Sequence, residues 1–270
     1  MASKQRLDVE LVRRGLAQSR EKAQALILSG VVLVDGQRAD KASIAVSEAS
    51  AVEVRGAPHP FVSRGGLKLE KAIAAFQVDA TGIIAMDVGA STGGFTDVLL
   101  RAGAQRVYAI DVGYGQLDWK LRNDPRVTVM ERTNARALTP DQFPEAPTLA
   151  VMDVSFISIR LILPALVNIL GDKGRIITLV KPQFEAGRAL VGKKGVVRDS
   201  AVHLSVLETL RLFIEGIGWR AVGADFSPVR GPEGNIEFLL DLRPANHPAE
   251  SLPPDALQRI VEEAHRTYNP

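Results

Sequence analysis

The hydrophobic positions change period partway along the chain. Over residues 6–54 they suit two short helices, RLDVELVRRGL and SREKAQALILSG, followed by the strand-like runs VVLVDGQRA and AVEVRG around turns. Ser19 stands where it can cap the second helix, and Gly30 where it can end it. A turn-rich stretch, RGAPHPF at residues 55–61, then interrupts the pattern. From residue 83 onward, apolar runs of strand length alternate with helical ones: IIAMDV, GFTDVLLRAG, RVYAIDV, VTVME, LAVMDV, SIRLILPALVNIL, GRIITLV, SAVHLSVLETLRLFIEG, WRAVGADF and NIEFLLDLR. That alternation predicts an α/β fold with a mainly parallel sheet wrapped on both faces. Only SPVRGPEG joins the last two strands, too little for a parallel crossover, so the final strand is expected to run antiparallel. PPDALQRIVEEAHRTYNP predicts one short surface helix. The boundaries that follow are residues 1–60 for a small α+β domain, 61–245 for the α/β domain and 246–270 for a tail.

Composition narrows the chemistry. With 270 residues, 46% of them hydrophobic, the chain can bury a full core. It has no cysteine, which excludes disulfides, thiolate metal sites and cysteine nucleophiles together. MASKQRLDVE lacks the apolar segment of a secretory signal, and LILPALVNIL is about half as long as a membrane span requires. A soluble cytoplasmic protein is expected. The net charge of +2 is unevenly placed: residues 1–71 hold twelve Lys or Arg against eight Asp or Glu, and the remainder is slightly acidic. A basic front suits a polyanion partner, although it also suits an ordinary solvated face.

The segment DVGASTGGFT, residues 87–96, joins a strand pattern to a helix pattern and allows three readings. As a phosphate loop it carries Phe95 where the lysine belongs, and as a dinucleotide fingerprint it carries Ser91 in place of the second glycine. The third reading is a cofactor with adenosine and no phosphate, such as S-adenosylmethionine. Gly89, Ser91, Gly93, Gly94 and Phe95 would then present backbone amides to its carboxylate, and Asp87 would take its ammonium. Asp111, 22 residues after Gly89, is spaced for ribose hydroxyls, and Glu131 or Asn134 for the adenine. Asp153 and Lys181 end two further parallel strands, and Glu237 begins the antiparallel one, so all three belong to the same sheet edge. Lys68, in SRGGLKLEKA, cannot be placed from spacing.

These segments resemble a known family. DVGASTGGFTD, VMDVSFIS, TLVKPQFEAG, KGVVRD, GPEGNIEF and SRGGLKLEKA are similar to the TlyA-type rRNA ribose 2′-O-methyltransferases within the FtsJ-like group, and the likeness spans nearly the whole chain. It implies a Rossmann-like methyltransferase fold with a seven-stranded, mostly parallel sheet whose last strand is antiparallel. It also implies a small N-terminal RNA-binding domain like that of small-subunit ribosomal protein four, S-adenosylmethionine as cofactor, and ribosomal RNA or ribosomal subunits as partner. The family's catalytic Lys-Asp-Lys-Glu set falls on Lys68, Asp153, Lys181 and Glu237. Cytidine is the implied target, in large-subunit rRNA, with small-subunit rRNA a second candidate. Lys181 is then either a general base or a cation facing a developing alkoxide, because nearby carboxylates and a nearby lysine push its ionisation in opposite directions.

RNA contacts are expected from Arg6, Arg13, Arg14, Arg20, Lys22, Arg38 and Arg64 at the front, and from Lys193, Lys194 and Arg198 beside the catalytic edge. Two rivals stand beside this reading: a non-catalytic RNA-binding or ribosome assembly factor, and a membrane-active protein, since family members have been labelled haemolysins. No metal site is expected, because His59, His203, His247 and His265 are not clustered and cysteine is absent, and serine-hydrolase chemistry has no case without G-x-S-x-G.

Overall fold

The computed structural model describes residues 4–17, 19–28, 30–54 and 60–268, which fall into two units, Met1–Arg64 and Gly65–Pro270. Most of the turn-rich stretch at 55–61 lies outside the described residues, as does His59.

In the first unit, β1 (Gln5–Arg6) leads into α1 (Leu7–Arg13) and α2 (Arg20–Leu28). The Ser19 hydroxyl accepts a hydrogen bond from the Lys22 amide at 3.2 Å, and Gly30 takes φ +72° just past the helix, as its position predicted. β2 (Val32–Val34) pairs antiparallel with β3 (Gln37–Arg38) and with β5 (Val52–Val54). Among the described residues β4 (Ala45–Val46) pairs with β1 alone, a ribbon too short to leave a period in the sequence. Leu7, Leu11, Ala23, Ile27, Val32 and Val46 form the core.

The second unit opens with α3 (Gly65–Ala75), then alternates β6 (Ile84–Val88), α4 (Gly94–Arg101), β7 (Arg106–Ile110), α5 (Trp119–Arg122), β8 (Val127–Met130) and β9 (Leu149–Met152). α6 (Leu163–Leu170), β10 (Arg175–Val180), α7 (Pro182–Glu185), α8 (Ser200–Gly216), β11 (Trp219–Phe226), β12 (Phe238–Pro244) and α9 (Ala256–Tyr268) complete it. The sheet order is β11-β12-β10-β9-β6-β7-β8. β12 pairs antiparallel with both β10 and β11, and the remaining pairings are parallel. The seven strands and the single reversed one are as expected.

SIRLILPALVNIL is not one helix. A 3-10 turn at Ile159–Leu161 precedes α6, whose second residue is Pro164, a residue without an amide hydrogen that fits only a helix's first turn. Residues 246–270, read as a tail, hold α9 with Ala256, Leu257, Val261 and Ala264 buried. The Tyr268 hydroxyl donates to the Ser227 carbonyl at 2.6 Å, and His265 Nε2 lies 2.8 Å from His203 Nδ1, so this helix belongs to the second unit's core. Among the described residues no helix is long and apolar enough to cross a membrane.

Candidate active site

Parallel pairing carries the ends of β6, β7, β9 and β10 to one edge of the sheet. Asp153 directly follows β9, and Lys181 directly follows β10. Glu237 directly precedes β12, so strand reversal brings it to that same edge. α3 supplies Lys68, the residue spacing could not place. Its Nζ donates to Glu237 Oε2 at 2.7 Å and to Asp153 Oδ2 at 3.1 Å. Lys181 Nζ lies 2.6 Å from Asp153 Oδ1. Asp153 thus gives one carboxylate oxygen to each lysine. All four side chains are largely buried, which is tolerable because two positive charges meet two negative ones. Burial alone would lower the Lys68 pKa, but Asp153 and Glu237 outweigh it and the net shift is upward. For Asp153, burial pulls upward while Lys68 and Lys181 pull downward and prevail.

The glycine turn abuts this cluster. A Cβ on Gly89, which takes φ +84°, would lie 2.8 Å from the Asp153 carbonyl oxygen, so glycine is what lets the two backbones meet. Ser91 also adopts a left-handed φ of +49°, without being glycine. Its amide donates to Asp111 Oδ2 at 2.8 Å, while Asp111 Oδ1 accepts from the Gly113 amide at 2.7 Å. Asp87 is fully buried, and its Oδ2 accepts from the amide and the hydroxyl of Thr96 at 2.9 and 2.7 Å. Its Oδ1 is buried with no hydrogen-bond partner among the described residues. Burial pushes Asp87 up to about 7, against the Thr96 bonds, and the charges of Asp153 and Asp111 add to the rise. The charges of Asp153 and Asp111 thus bear on the buried Asp87, whose second oxygen has no partner among the described residues, an unmet acceptor that a cationic group answers. S-adenosylmethionine, with an ammonium and a sulfonium, fits that donor set.

Other expected cofactor residues have more local duties. Glu131 accepts from the Gly115 amide at 2.8 Å and pairs with Arg122 at 2.5 Å, which holds its carboxyl below the usual range. Asn134 caps the 3-10 turn at Ala135–Ala137 through the Arg136 amide. Gly93 takes φ +93° before α4, whose first residue is Gly94. Phe95, expected to offer its backbone amide, is the second residue of α4 and turns its side chain into the core, 4% exposed. The apolar side chain prefers burial to the polar rim.

Two residues beside Asp153 escaped the sequence reading. Ser155 Oγ accepts from Lys181 Nζ at 2.8 Å. Phe156 is 91% exposed, has φ +65°, and its ring centroid lies 5.2 Å from that of Phe184. The placement of both in VMDVSFIS, directly after the strand-end acid, was the available signal.

The basic residues divide. Asp8 and Glu10 are buried in the first unit, and arginines neutralise them: Arg6 and Arg20 bind Asp8 at 2.9 and 3.1 Å, Arg13 and Arg14 bind Glu10 at 2.7 and 2.6 Å. Arg14 also donates to the carbonyls of Ser47, Glu48 and Ser50, so it is spent on the fold and not available for phosphate as expected. Arg6, Arg13 and Arg20 keep about half of their side-chain surface in solvent. Lys22, Arg38, Lys194 and Arg198 are exposed, and Arg64 is partly buried. Lys193 opens a 3-10 turn, Lys193–Gly195, and its side chain lies outside what is described.

Comparison with known proteins agrees with this geometry. Residues 61–243 match the FtsJ-like methyltransferase family, and residues 5–52 match the S4 domain. A Bacillus subtilis (strain 168) protein named as a candidate rRNA methyltransferase, YqxC, is 51% identical over 98% of this chain and 96% of its own. The Mycobacterium tuberculosis (strain ATCC 25618 / H37Rv) 16S/23S rRNA (cytidine-2′-O)-methyltransferase TlyA is 49% identical over 97% of this chain and 99% of its own. Among solved structures, a candidate hemolysin from Streptococcus thermophilus aligns with a TM-score of 0.78 at 46% identity, covering 98% of this chain and 97% of that one.

Proposed function

This chain belongs to the FtsJ-like methyltransferase family, and we propose that it methylates a ribose 2′-hydroxyl, that of a cytidine, in ribosomal RNA within the cytoplasm. The observation that carries the reading is the ion-paired Lys68, Asp153, Lys181 and Glu237 cluster in backbone contact with the glycine turn. The name of the Mycobacterium tuberculosis relative supports cytidine and both subunits' RNA.

Bound S-adenosylmethionine supplies an electrophilic methyl group. The protein must then align an acceptor oxygen and handle its proton, and alignment of this kind lowers a barrier by roughly 7–11 kcal/mol. Lys181 Nζ is the group that meets the acceptor hydroxyl and its proton. Asp153 Oδ1 orients that nitrogen, while Asp153 Oδ2 and Glu237 hold Lys68 as the counterweight. Asp111 at the turn and the unpartnered oxygen of the buried Asp87 behind it favour the cationic donor.

The S4 match and the exposed Arg6, Arg13, Arg20, Lys22 and Arg38 support RNA binding by the first unit, with Lys194 and Arg198 adding phosphate contacts from the second. Such contacts give affinity that falls with salt.

The test is incubation with labelled S-adenosylmethionine and separate ribosomal subunits from cells lacking the enzyme, followed by mapping of ribose methylation. Wild-type protein is expected to label cytidine ribose, and Lys181→Ala to label nothing while still binding the cofactor in calorimetry. Label on protein or small molecules, or near-normal turnover by Lys181→Ala, overturns the reading.

A further inference from the structure

Asp153 cannot hold Lys181 in a unique orientation, because its second oxygen is committed to Lys68. One contact leaves an amine free to swing about it. The second anchor among the described residues is Ser155, whose Oγ accepts from Nζ at 2.8 Å. A lysine nitrogen has four tetrahedral directions, one taken by its own carbon. Ser155 occupies a second through its hydrogen bond, and the Asp153 carboxylate, ion-paired at 2.6 Å without hydrogen-bond geometry, restrains rotation about it, so the remaining direction that faces the acceptor is confined. That remaining direction holds a hydrogen in the ammonium and the lone pair in the neutral amine, so the constraint serves either role of Lys181.

The backbone favours this purpose. Asp153 stays in sheet register through its amide, which donates to the Val88 carbonyl at 3.1 Å. Three residues later Phe156 adopts φ +65°, a conformation unfavourable for a bulky non-glycine residue. Such strain persists where the surroundings impose it, and it concentrates at working sites. At this turn Ser155 Oγ meets Lys181 Nζ while the neighbouring Phe156 ring stays in solvent.

We propose that Ser155 is a positioning residue for the transfer, the second anchor that aims the working direction of Lys181 Nζ at the acceptor hydroxyl. The proposal rests on the methyltransferase reading above, and its test separates the two. Wild type, Ser155→Ala and Ser155→Thr are compared with ribosomal subunits as substrate across pH. Ser155→Ala is expected to lower kcat about 10- to 100-fold with both KM values within about twofold, and to move the ionisation seen in the pH–rate profile. Ser155→Thr, which keeps the hydroxyl, restores most of the rate. In parallel, pulse acetylation read by mass spectrometry is expected to label Lys181 several-fold faster in Ser155→Ala, with Lys68 labelling unchanged as the internal control. Inactive wild type with faster Lys181 labelling in the variant sinks the methyltransferase reading and leaves the anchor standing. Equal Lys181 labelling, a Ser155→Ala kcat within twofold of wild type, or equal impairment of the alanine and threonine variants overturns the anchor.

Discussion

Glu237→Gln isolates the charge balance of the cluster, because it removes one negative charge with almost no change of shape. Glu237 is 1% exposed, and its Oε2 lies 2.7 Å from Lys68 Nζ. The variant leaves two buried ammonium groups facing the single carboxylate of Asp153. Breaking a buried ion pair outright costs about 3–5 kcal/mol, but Lys68 retains Asp153 at 3.1 Å and the new amide oxygen still accepts. A charge-assisted hydrogen bond is worth about 1.5–3 kcal/mol, so a loss of about 2 kcal/mol is expected. For a unit of this size that corresponds to a fall of about 4–8 °C in the midpoint of thermal unfolding. Activity should fall further, about 100-fold, because Lys68 then draws on Asp153 alone and loosens its hold on Lys181. The double variant Lys68→Met with Glu237→Leu separates the two effects. It replaces ions by apolar side chains of similar size, so its midpoint should return to within about 2 °C of wild type, while methylation stays at least about 100-fold down. Calorimetry and initial rates on ribosomal subunits measure both. A Glu237→Gln midpoint within 1 °C of wild type (a margin of about half a kcal/mol) together with unchanged turnover refutes the reasoning, as does a double variant no more stable than the single one.

Asp87 predicts a pH dependence. Burial raises it to about 7, above its value in the unfolded chain, so the folded protein holds the proton more tightly. Its contribution is therefore full below about pH 4 and declines as pH rises toward 7, by up to about 4 kcal/mol. Asp87→Asn should flatten that decline in urea unfolding, and should abolish a rise in S-adenosylmethionine affinity across the same range; parallel profiles for the two proteins would contradict the assignment. Phe156→Ala should leave thermal unfolding and cofactor binding unchanged while lowering kcat/KM for RNA about tenfold, because stacking of one base is worth about 1–3 kcal/mol. Weakened cofactor binding with normal RNA kinetics would contradict it.

The apolar runs IIAMDV, RVYAIDV, LAVMDV and GRIITLV announced the parallel strands, since strands buried on both faces must be apolar throughout. The eight residues of SPVRGPEG announced the reversed strand, and with it the side of the sheet on which Glu237 lies. Strand-end position alone therefore brought Asp153, Lys181 and Glu237 to one edge. Charge contacts within the first unit were partly legible too: Glu10 precedes Arg13 and Arg14 by three and four residues, the spacing at which helical side chains meet.

Other features depend on how distant elements pack. Lys68 reaches Glu237 across 169 positions of chain because α3 packs against the sheet, and no periodicity encodes that approach. Phe95 keeps its backbone in the first turn of α4 while packing sends its side chain into the core, a direction that spacing does not encode. Ser155 meets Lys181 while Phe156, at a left-handed φ unfavourable for phenylalanine, stays exposed, a pairing that no spacing encodes. Local spacing fixes which residues share a strand end or a helix face, because those relations arise from backbone geometry alone. Which of those groups touch, which charge is neutralised and which oxygen is left without a partner are settled by long-range packing, where burial makes each unmatched charge costly enough to select a single arrangement.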